Sequence, residues 1–407
     1  MKKVLKIVGG LFAIVVLAAA AFALQIHLSG IPHYPVQKVD LKVDVTPERV
    51  ARGSRIASML CAECHLDPQT GRLTGRLMPD MPPQFGVAYS LNITQHREKG
   101  IGAWTDGELA FLLRTGIARD GRYTPPWMVK LPGASDEEIA AIIAFLRSDD
   151  PRVQAAAVDN RPSQPSFFTK FLTRVAFKPF PYPTAPIVAP PASDRVAYGR
   201  HLALNVLACF ACHSADFATN DELHPEKSKG FFGGGNAMID ANAQRIHTSN
   251  ITLDPETGIG RWTEDQFVRA VKQGFRPDRT PILYPMQAYV ELDDDEVRAI
   301  YAYLATVPRL ANAVPHTPPA AAPATASEGK KVYYKYACQS CHGDAGVGLC
   351  DLRVNLKKYP EDDALIAFIK HPAATVPGSK MPAWEGVIED ADYAPLVQYL
   401  RTLAPAS

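Results

Sequence analysis

Net charge is almost absent from this sequence. Its 407 residues carry 43 Lys and Arg against 42 Asp and Glu, a formal charge of +1. A protein that holds nucleic acid or another polyanion by its field is therefore not indicated. Cysteine is scarce at seven residues, too few for a disulfide scaffold in a chain this long. Methionine is scarce at eight, so a Met that recurs in register stands out. Long apolar runs are missing, with one exception from Ile7 to Leu24. The one glycine-rich stretch, Phe231-Phe232-Gly233-Gly234-Gly235, lacks the Lys-Ser/Thr that follows a phosphate loop, so it is read as a flexible turn. Hydrophobic content of 47% and charged content of 21% are those of ordinary globular protein.

What the sequence has is a five-residue stretch repeated three times. The copies are Cys61-Ala62-Glu63-Cys64-His65, Cys209-Phe210-Ala211-Cys212-His213 and Cys338-Gln339-Ser340-Cys341-His342. Each reads C-x-x-C-H, the attachment pattern of c-type haem. Two thiols at this spacing add across the two vinyl groups of one porphyrin, and the adjacent His reaches the iron. Three covalent haems are expected, held by Cys61, Cys64, Cys209, Cys212, Cys338 and Cys341. His65, His213 and His342 are the expected proximal ligands. Zinc would need Cys/His sets assembled across domains and is the remote alternative. Cys350 is left over and is read as a buried, inert thiol, with an intermolecular disulfide as the alternative.

The N-terminus bears on compartment. Lys2, Lys3 and Lys6 precede the apolar run, which favours a cytoplasmic start and an exported remainder. The run is long enough to span a bilayer and is read as an uncleaved anchor. Cleavage after Ala21-Phe22-Ala23 is the alternative. The expected location is the bacterial cell membrane, with the haem domains on the periplasmic face.

The fold class expected is mainly α: three consecutive cytochrome c-like helical domains of class I behind an N-terminal membrane segment. The segment covers residues 1–30, and the domains cover 46–150, 194–308 and 327–405. A Pro-rich linker, 151–193, and an Ala/Pro-rich spacer, 309–326, separate them. Phe167, Phe168, Phe171, Leu172 and Val175 form one short apolar helix in the first linker, expected to pack on a domain, with membrane or partner contact as alternatives.

The second domain repeats the first. Asn92-Ile93-Thr94 matches Asn250-Ile251-Thr252, Gly100-Ile101-Gly102 matches Gly258-Ile259-Gly260, and Trp104-Thr105 matches Trp262-Thr263. Gly116, Asp120 and Met128 match Gly274, Asp278 and Met286. One constant offset relates all these pairs. The haem motifs lie at a shorter offset, so the second repeat has extra residues before Asn250, and the Phe231–Gly235 stretch is assigned to that insertion. Thr46-Pro47, Thr105, Ser135 and Ser327 are expected to open helices. Asp293, Asp294 and Asp295 are expected to cap the last helix of domain two.

The second axial ligand decides what the irons can do. Met128 and Met286 hold one column of the repeat while their neighbours differ, and iron ligation supplies a reason. Met381, between the third motif and the last helix, takes the corresponding place, with His371 as its competitor. Met78, Met81 and Met238 are read as covering a core or a haem edge. His96 aligns with Asp254 and is not a ligand. His201, His224, His247 and His316 have no repeat partner and are read as surface or core residues. Trp104 and Trp262 pack either on the haem or on the core.

The set Asn-Ile-Thr, Gly-Ile-Gly-x-Trp-Thr, Met, then a helix ending Ala-x-x-Leu resembles the cytochrome c subunits of bacterial membrane-bound dehydrogenases for alcohol, gluconate, sorbitol or aldehyde. The third domain resembles a generic single-haem cytochrome c. The family's usual Tyr-Pro-x-Met-Pro-Tyr loop stands here as Tyr284-Pro285-Met286-Gln287-Ala288-Tyr289, and in domain one as Pro125-Pro126-Trp127-Met128-Val129. The resemblance implies a triheme electron carrier, not an enzyme. It would take single electrons from a partner dehydrogenase to quinone, an oxidase or a soluble cytochrome. The alternative is a peroxidase-like haem enzyme with one exchangeable axial position.

Overall fold

The structure, a computed structural model, describes residues 2–78, 81–240, 244–315, 320–349, 351–376 and 379–403. Cys350, His316 and part of the 309–326 spacer lie outside these residues. The described chain is mainly helical, with two short antiparallel ribbons, Gly86–Val87 with Gln164–Pro165 and Ala237–Ile239 with Arg245–His247.

Helices start where capping residues place them. Thr46 Oγ1 accepts from Arg49 N at 3.3 Å and opens Pro47–Leu60. Thr105 with Glu108, and Ser135 with Glu138, form capping boxes for Asp106–Thr115 and Asp136–Leu146. Thr263 with Gln266, and Asp293 with Glu296, repeat them for Glu264–Gln273 and Asp294–Leu304. Ser327 opens Glu328–Lys335. The acidic run at 293–295 is thus a helix cap with its neighbours, as its position suggests.

The described residues hold three clusters of buried side chains. Ile56, Leu109, Ile142 and Phe145 belong to the first, Leu204, Phe267, Val297 and Leu304 to the second, and Val332, Tyr333, Leu396 and Leu400 to the third. In each, the helix before the C-x-x-C-H stretch crosses the closing helix at a glycine. A Cβ on Gly53 would sit 1.8 Å from Ala141 O, on Gly199 1.8 Å from Ala299 O, and on Gly329 2.0 Å from Pro395 O. Backbone meets backbone at all three crossings, so only hydrogen fits there. This likeness reaches the third cluster, whose sequence shares little else with the first two.

The repeat also holds bond by bond. Ile101 N donates to Thr94 O as Ile259 N does to Thr252 O; Thr124 N donates to Gly116 O as Ile282 N does to Gly274 O. Asn92 Oδ1 accepts from Thr94 N and Oγ1, and Asn250 Oδ1 does the same for Thr252. The Asn-Ile-Thr signature is therefore a buried backbone clamp. His96 and Asp254 cap the same local turn with side-chain acceptors, which explains how two unlike residues share a column.

The Pro-rich stretches are docked on their neighbours, and one expectation, the place of the insertion, needs correction. Asn92 Nδ2 donates to Ala156 O and Val158 O, and Val153 is fully buried. In the second stretch Leu310 O accepts from Asn250 Nδ2, and Ala320 and Ala322 pack against the third cluster. Proline removes donors and forbids helix, but neighbouring carbonyls still accept and dock the chain. The insertion is elsewhere. Gly75 N donates to His65 O, and Gly234 N to His213 O. Phe232-Gly233-Gly234 is thus the counterpart of Leu73-Thr74-Gly75, and the extra residues fall earlier, between His213 and Phe232. Gly234 is no flexible turn: at φ +69 its Cβ would lie 2.4 Å from Ser249 C.

The first two repeats are fused across their helices. Glu138, 1% exposed, bonds Arg52 Nη2 at 2.8 Å in its own repeat and His201 Nε2 at 2.8 Å in the next. Its counterpart Glu296 takes Arg55 Nη2 at 2.5 Å from the first repeat and Tyr198 Oη at 3.2 Å from its own. Met59 of the first repeat is buried in the second cluster. Phe275 of the second is buried in the third, edge-on to Trp384 at 5.2 Å.

Candidate haem-binding sites

Each C-x-x-C-H stretch folds as a short helical turn after a longer helix. Cys61 N donates to Ala57 O, ending the Pro47–Leu60 helix, and Ala62–His65 continues from it. Cys209–His213 follows Ala208, whose φ is +48. Gln339–His342 follows Cys338, whose amide donates to Tyr333 O. The i to i+3 spacing on one turn brings both sulfurs and the following ring together. These six cysteines form no disulfide and are all half-buried. Burial pushes the thiols of Cys61, Cys209 and Cys338 up to about 12.

The histidines are prepared for metal through one ring nitrogen. His65 Nδ1 lies 2.6 Å from Leu91 O, and His213 Nδ1 lies 2.8 Å from Ser249 O. A carbonyl only accepts, so Nδ1 carries the proton and Nε2 keeps its lone pair. The two carbonyls sit just before the Asn-Ile-Thr clamps, which fix their direction. Burial holds both imidazoles below their ordinary value and puts His342 at about 4. The neutral form, the one that ligates iron, is thereby favoured in all three.

Met128 and Met286 occupy matching loops. Met128 N closes a turn on Pro125 O at 3.0 Å and Met286 N on Leu283 O at 3.2 Å. Leu131 N and Tyr289 N then tie these loops to Leu113 O and Val271 O. Tyr289 is pushed up by burial and by the neighbouring Cys209 and Cys212, so the Met286 loop abuts the second cysteine pair. Met381 and Cys338 both pack on the third cluster. His371 caps the Asp362–Lys370 helix and pairs with Glu385 at 3.3 Å, half exposed. Trp104 and Trp262 pack at the margins of the first and second clusters. His201 is the histidine that sequence undervalues, since it joins two repeats.

Glu63, inside the first motif, is not singled out by sequence. It pairs with Lys380, the residue before Met381. Its charge also acts on Tyr289 beside the second cysteine pair, and Lys380 acts on Cys61. Arg76 bridges Glu63 O at 2.6 Å and Leu349 O at 3.4 Å. The three candidate sites therefore converge on one side chain. No spacing rule could have found it, because its partners are far apart in the chain.

The donor set fits covalent haem. Each pair of half-buried thiols stands beside an imidazole held neutral, buried at His65 and half-buried at His213 and His342. Asn220, whose Nδ2 donates to Ala211 O inside the second motif, keeps a buried Oδ1 without a protein partner, as a group facing a polar cofactor would.

Comparison with known proteins agrees with this chemistry. Residues 324–400 match the family model described as cytochrome c oxidase, cbb3-type, subunit III. One of the subunits of nicotinate dehydrogenase from Pseudomonas putida is 28% identical over 86% of this chain, which spans only 30% of that protein. The cytochrome c subunit of the quinone-dependent alcohol dehydrogenase of Gluconobacter oxydans is 27% identical, over 88% of this chain and 79% of its own length. The gluconate 2-dehydrogenase cytochrome c subunit of Pantoea cypripedii is 27% identical, over 84% and 82%. Cytochrome c chemistry with covalently bound haem, in an electron-carrying role, is what these likenesses support. Along most of its length the chain is related to the cytochrome c subunits of membrane-bound dehydrogenases.

Proposed function

We propose that the protein is a membrane-attached, periplasmic triheme c-type cytochrome relaying single electrons from a partner dehydrogenase towards quinone or another acceptor. The observation that carries this is the state of the three motifs: paired thiols on one turn beside an imidazole held neutral, buried at His65 and half-buried at His213 and His342. The domains are those bounded at 46–150, 194–308 and 327–405, behind an anchor formed by the Lys2–Ser29 helix. That helix is long and apolar enough to cross a membrane, with mean hydropathy 2.7 and charge confined to its start.

Bound haem supplies one-electron redox chemistry. Cys61 and Cys64, Cys209 and Cys212, and Cys338 and Cys341 would hold the porphyrins. His65 and His213 would take the irons through Nε2 and His342 through its ring, with Met128, Met286 and Met381 as the second ligands. Thioether ligation favours the reduced iron and raises the potential. Irons held by two side chains of the protein would carry electrons rather than bind substrate. The Leu91 and Ser249 carbonyls orient the first two imidazoles and raise their basicity.

A haem count on the purified protein is expected to give three per chain. Substituting Met128, Met286 or Met381 singly by Ala should turn about one third of the low-spin absorbance high-spin, as one iron of three loses a ligand. A variant with an unchanged spectrum removes that Met from the ligand set. Pull-down from membranes should recover a dehydrogenase subunit. Glu63→Gln is expected to cost under about 1 kcal/mol, because the ion pair is partly solvated. It should still shift at least one haem midpoint in a redox titration, since charge is lost where the sites meet.

A further inference from the structure

The Phe167–Val175 helix sits inside out. Thr169 and Thr173 are buried against the body, at 1% and 0% exposure, while Phe167, Phe168 and Val175 are exposed at 45%, 44% and 48%. The polar face is satisfied locally. Thr169 Oγ1 donates to Phe85 O at 2.7 Å, Thr173 Oγ1 to Lys170 O at 3.0 Å, and Ser166 Oγ caps the helix. Phe171 and Leu172 are half-buried, and a short helix that packs its threonines while leaving Phe167, Phe168 and Val175 to water would forfeit much of its stability. The segment thus packs on the body, as expected, but through its threonines, leaving Phe167, Phe168 and Val175 uncovered.

Three observations name the missing solvent. The helix packs on the end of the candidate span: Lys170 Nζ donates to His27 O at 3.1 Å and Arg174 Nη2 to Gly30 O at 2.9 Å. Its charge is of one sign, since Arg161, Lys170, Arg174 and Lys178 lie in a stretch, residues 160–193, with no Asp or Glu. The exposed apolar surface also continues from it, through Leu28 at the end of the span and Val87 on the neighbouring ribbon. Aromatic and aliphatic groups flanked by cations, at the mouth of a spanning helix, match the acyl–headgroup boundary of an anionic bilayer.

We propose that this helix lies in the membrane interface, with Phe167, Phe168 and Val175 in lipid and Lys170, Arg174 and Lys178 among headgroups. The inference rests on the reading of Lys2–Ser29 as a membrane span. It makes the junction a two-part anchor, one segment across and one along the surface. It also orients the first site. Phe168 touches Phe85 at 5.6 Å, and Phe85 meets Trp127 at 6.1 Å, so the Met128 loop stands on the bilayer side.

The test uses the full haem-loaded chain in vesicles of phosphatidylglycerol and phosphatidylethanolamine. A photoreactive benzophenone side chain replaces Phe168 in one variant and Phe12, within the span, in another. After irradiation, mass spectrometry is expected to find lipid adducts at both positions. Lipid adducts at position 12 with none at 168 overturn the interfacial helix and leave the span standing. Protein adducts alone at 168 overturn it in favour of a second copy covering the face. No lipid adduct at either position overturns the span and the proposal together.

Discussion

Replacing Glu138 with alanine is expected to destabilise the fused pair of repeats by about 3–5 kcal/mol, the usual cost of breaking a buried ion pair by removing one partner. Three dependencies meet at this carboxylate. It closes the capping box of its own helix with Ser135, anchors Arg52, and receives the ring of His201 from the second repeat. Loss of the side chain leaves His201, 4% exposed, without its carboxylate. Burial pushes the Glu138 carboxyl up, but the His201 hydrogen bond and charge, together with Ser135, outweigh it and hold the group at about 2. A depressed folded pKa gives stability that is complete above the ordinary range and is lost as pH falls from 4.5 towards about 2. Urea unfolding should therefore show a wild-type advantage over Glu138→Gln that is full at neutral pH and shrinks through that window. An advantage independent of pH would show that the carboxylate charge contributes nothing. Glu296→Ala should cost less, since that side chain is 12% exposed and water can take up its partners.

Gly199→Val is expected to be the most damaging single change in the second repeat, at about 3 kcal/mol or more. The added Cβ would meet Ala299 O at 1.8 Å, then Ala299 C and Ile300 N. These are backbone atoms of a helix and cannot rotate aside, so the two helices must separate. Valine would in addition force its methyl groups between them. Gly71→Ala makes the contrast, because its φ of +68 imposes strain but nothing lies within 4 Å, and about 1 kcal/mol is expected. Thermal unfolding followed by far-ultraviolet dichroism should separate the two clearly. Haem loading should fall in the Gly199 variant, because this helix delivers Cys209 to its place. Equal midpoints for the two variants would refute the close crossing.

Much of the site is legible without the fold. The reason is that its chemistry is local. Two thiols and an imidazole must share one helical turn, so their spacing is written in five consecutive residues. Capping boxes are equally local, reaching from i to i+3 at Thr105, Ser135, Thr263 and Asp293, and all four form. The repeat register is also legible, because a gapless match preserves hydrogen bonds from Thr94 to Leu131 and from Thr252 to Tyr289. The place of the insertion is not. A length difference says that residues were added but not where, and only the amide of Gly234 on the carbonyl of His213 decides it.

The sequence by itself determined the cofactor chemistry, the helix starts, the candidate span and the internal duplication, since each rests on contacts within a few residues or on an unbroken register. The tertiary structure alone decided how these parts meet. It buried Glu138 against His201, brought Glu63 to Lys380, closed three helix crossings on glycine and turned Phe167 and Phe168 outward. Each of these joins residues distant in the chain, and burial and approach distance are properties of the packed chain, which no local spacing encodes.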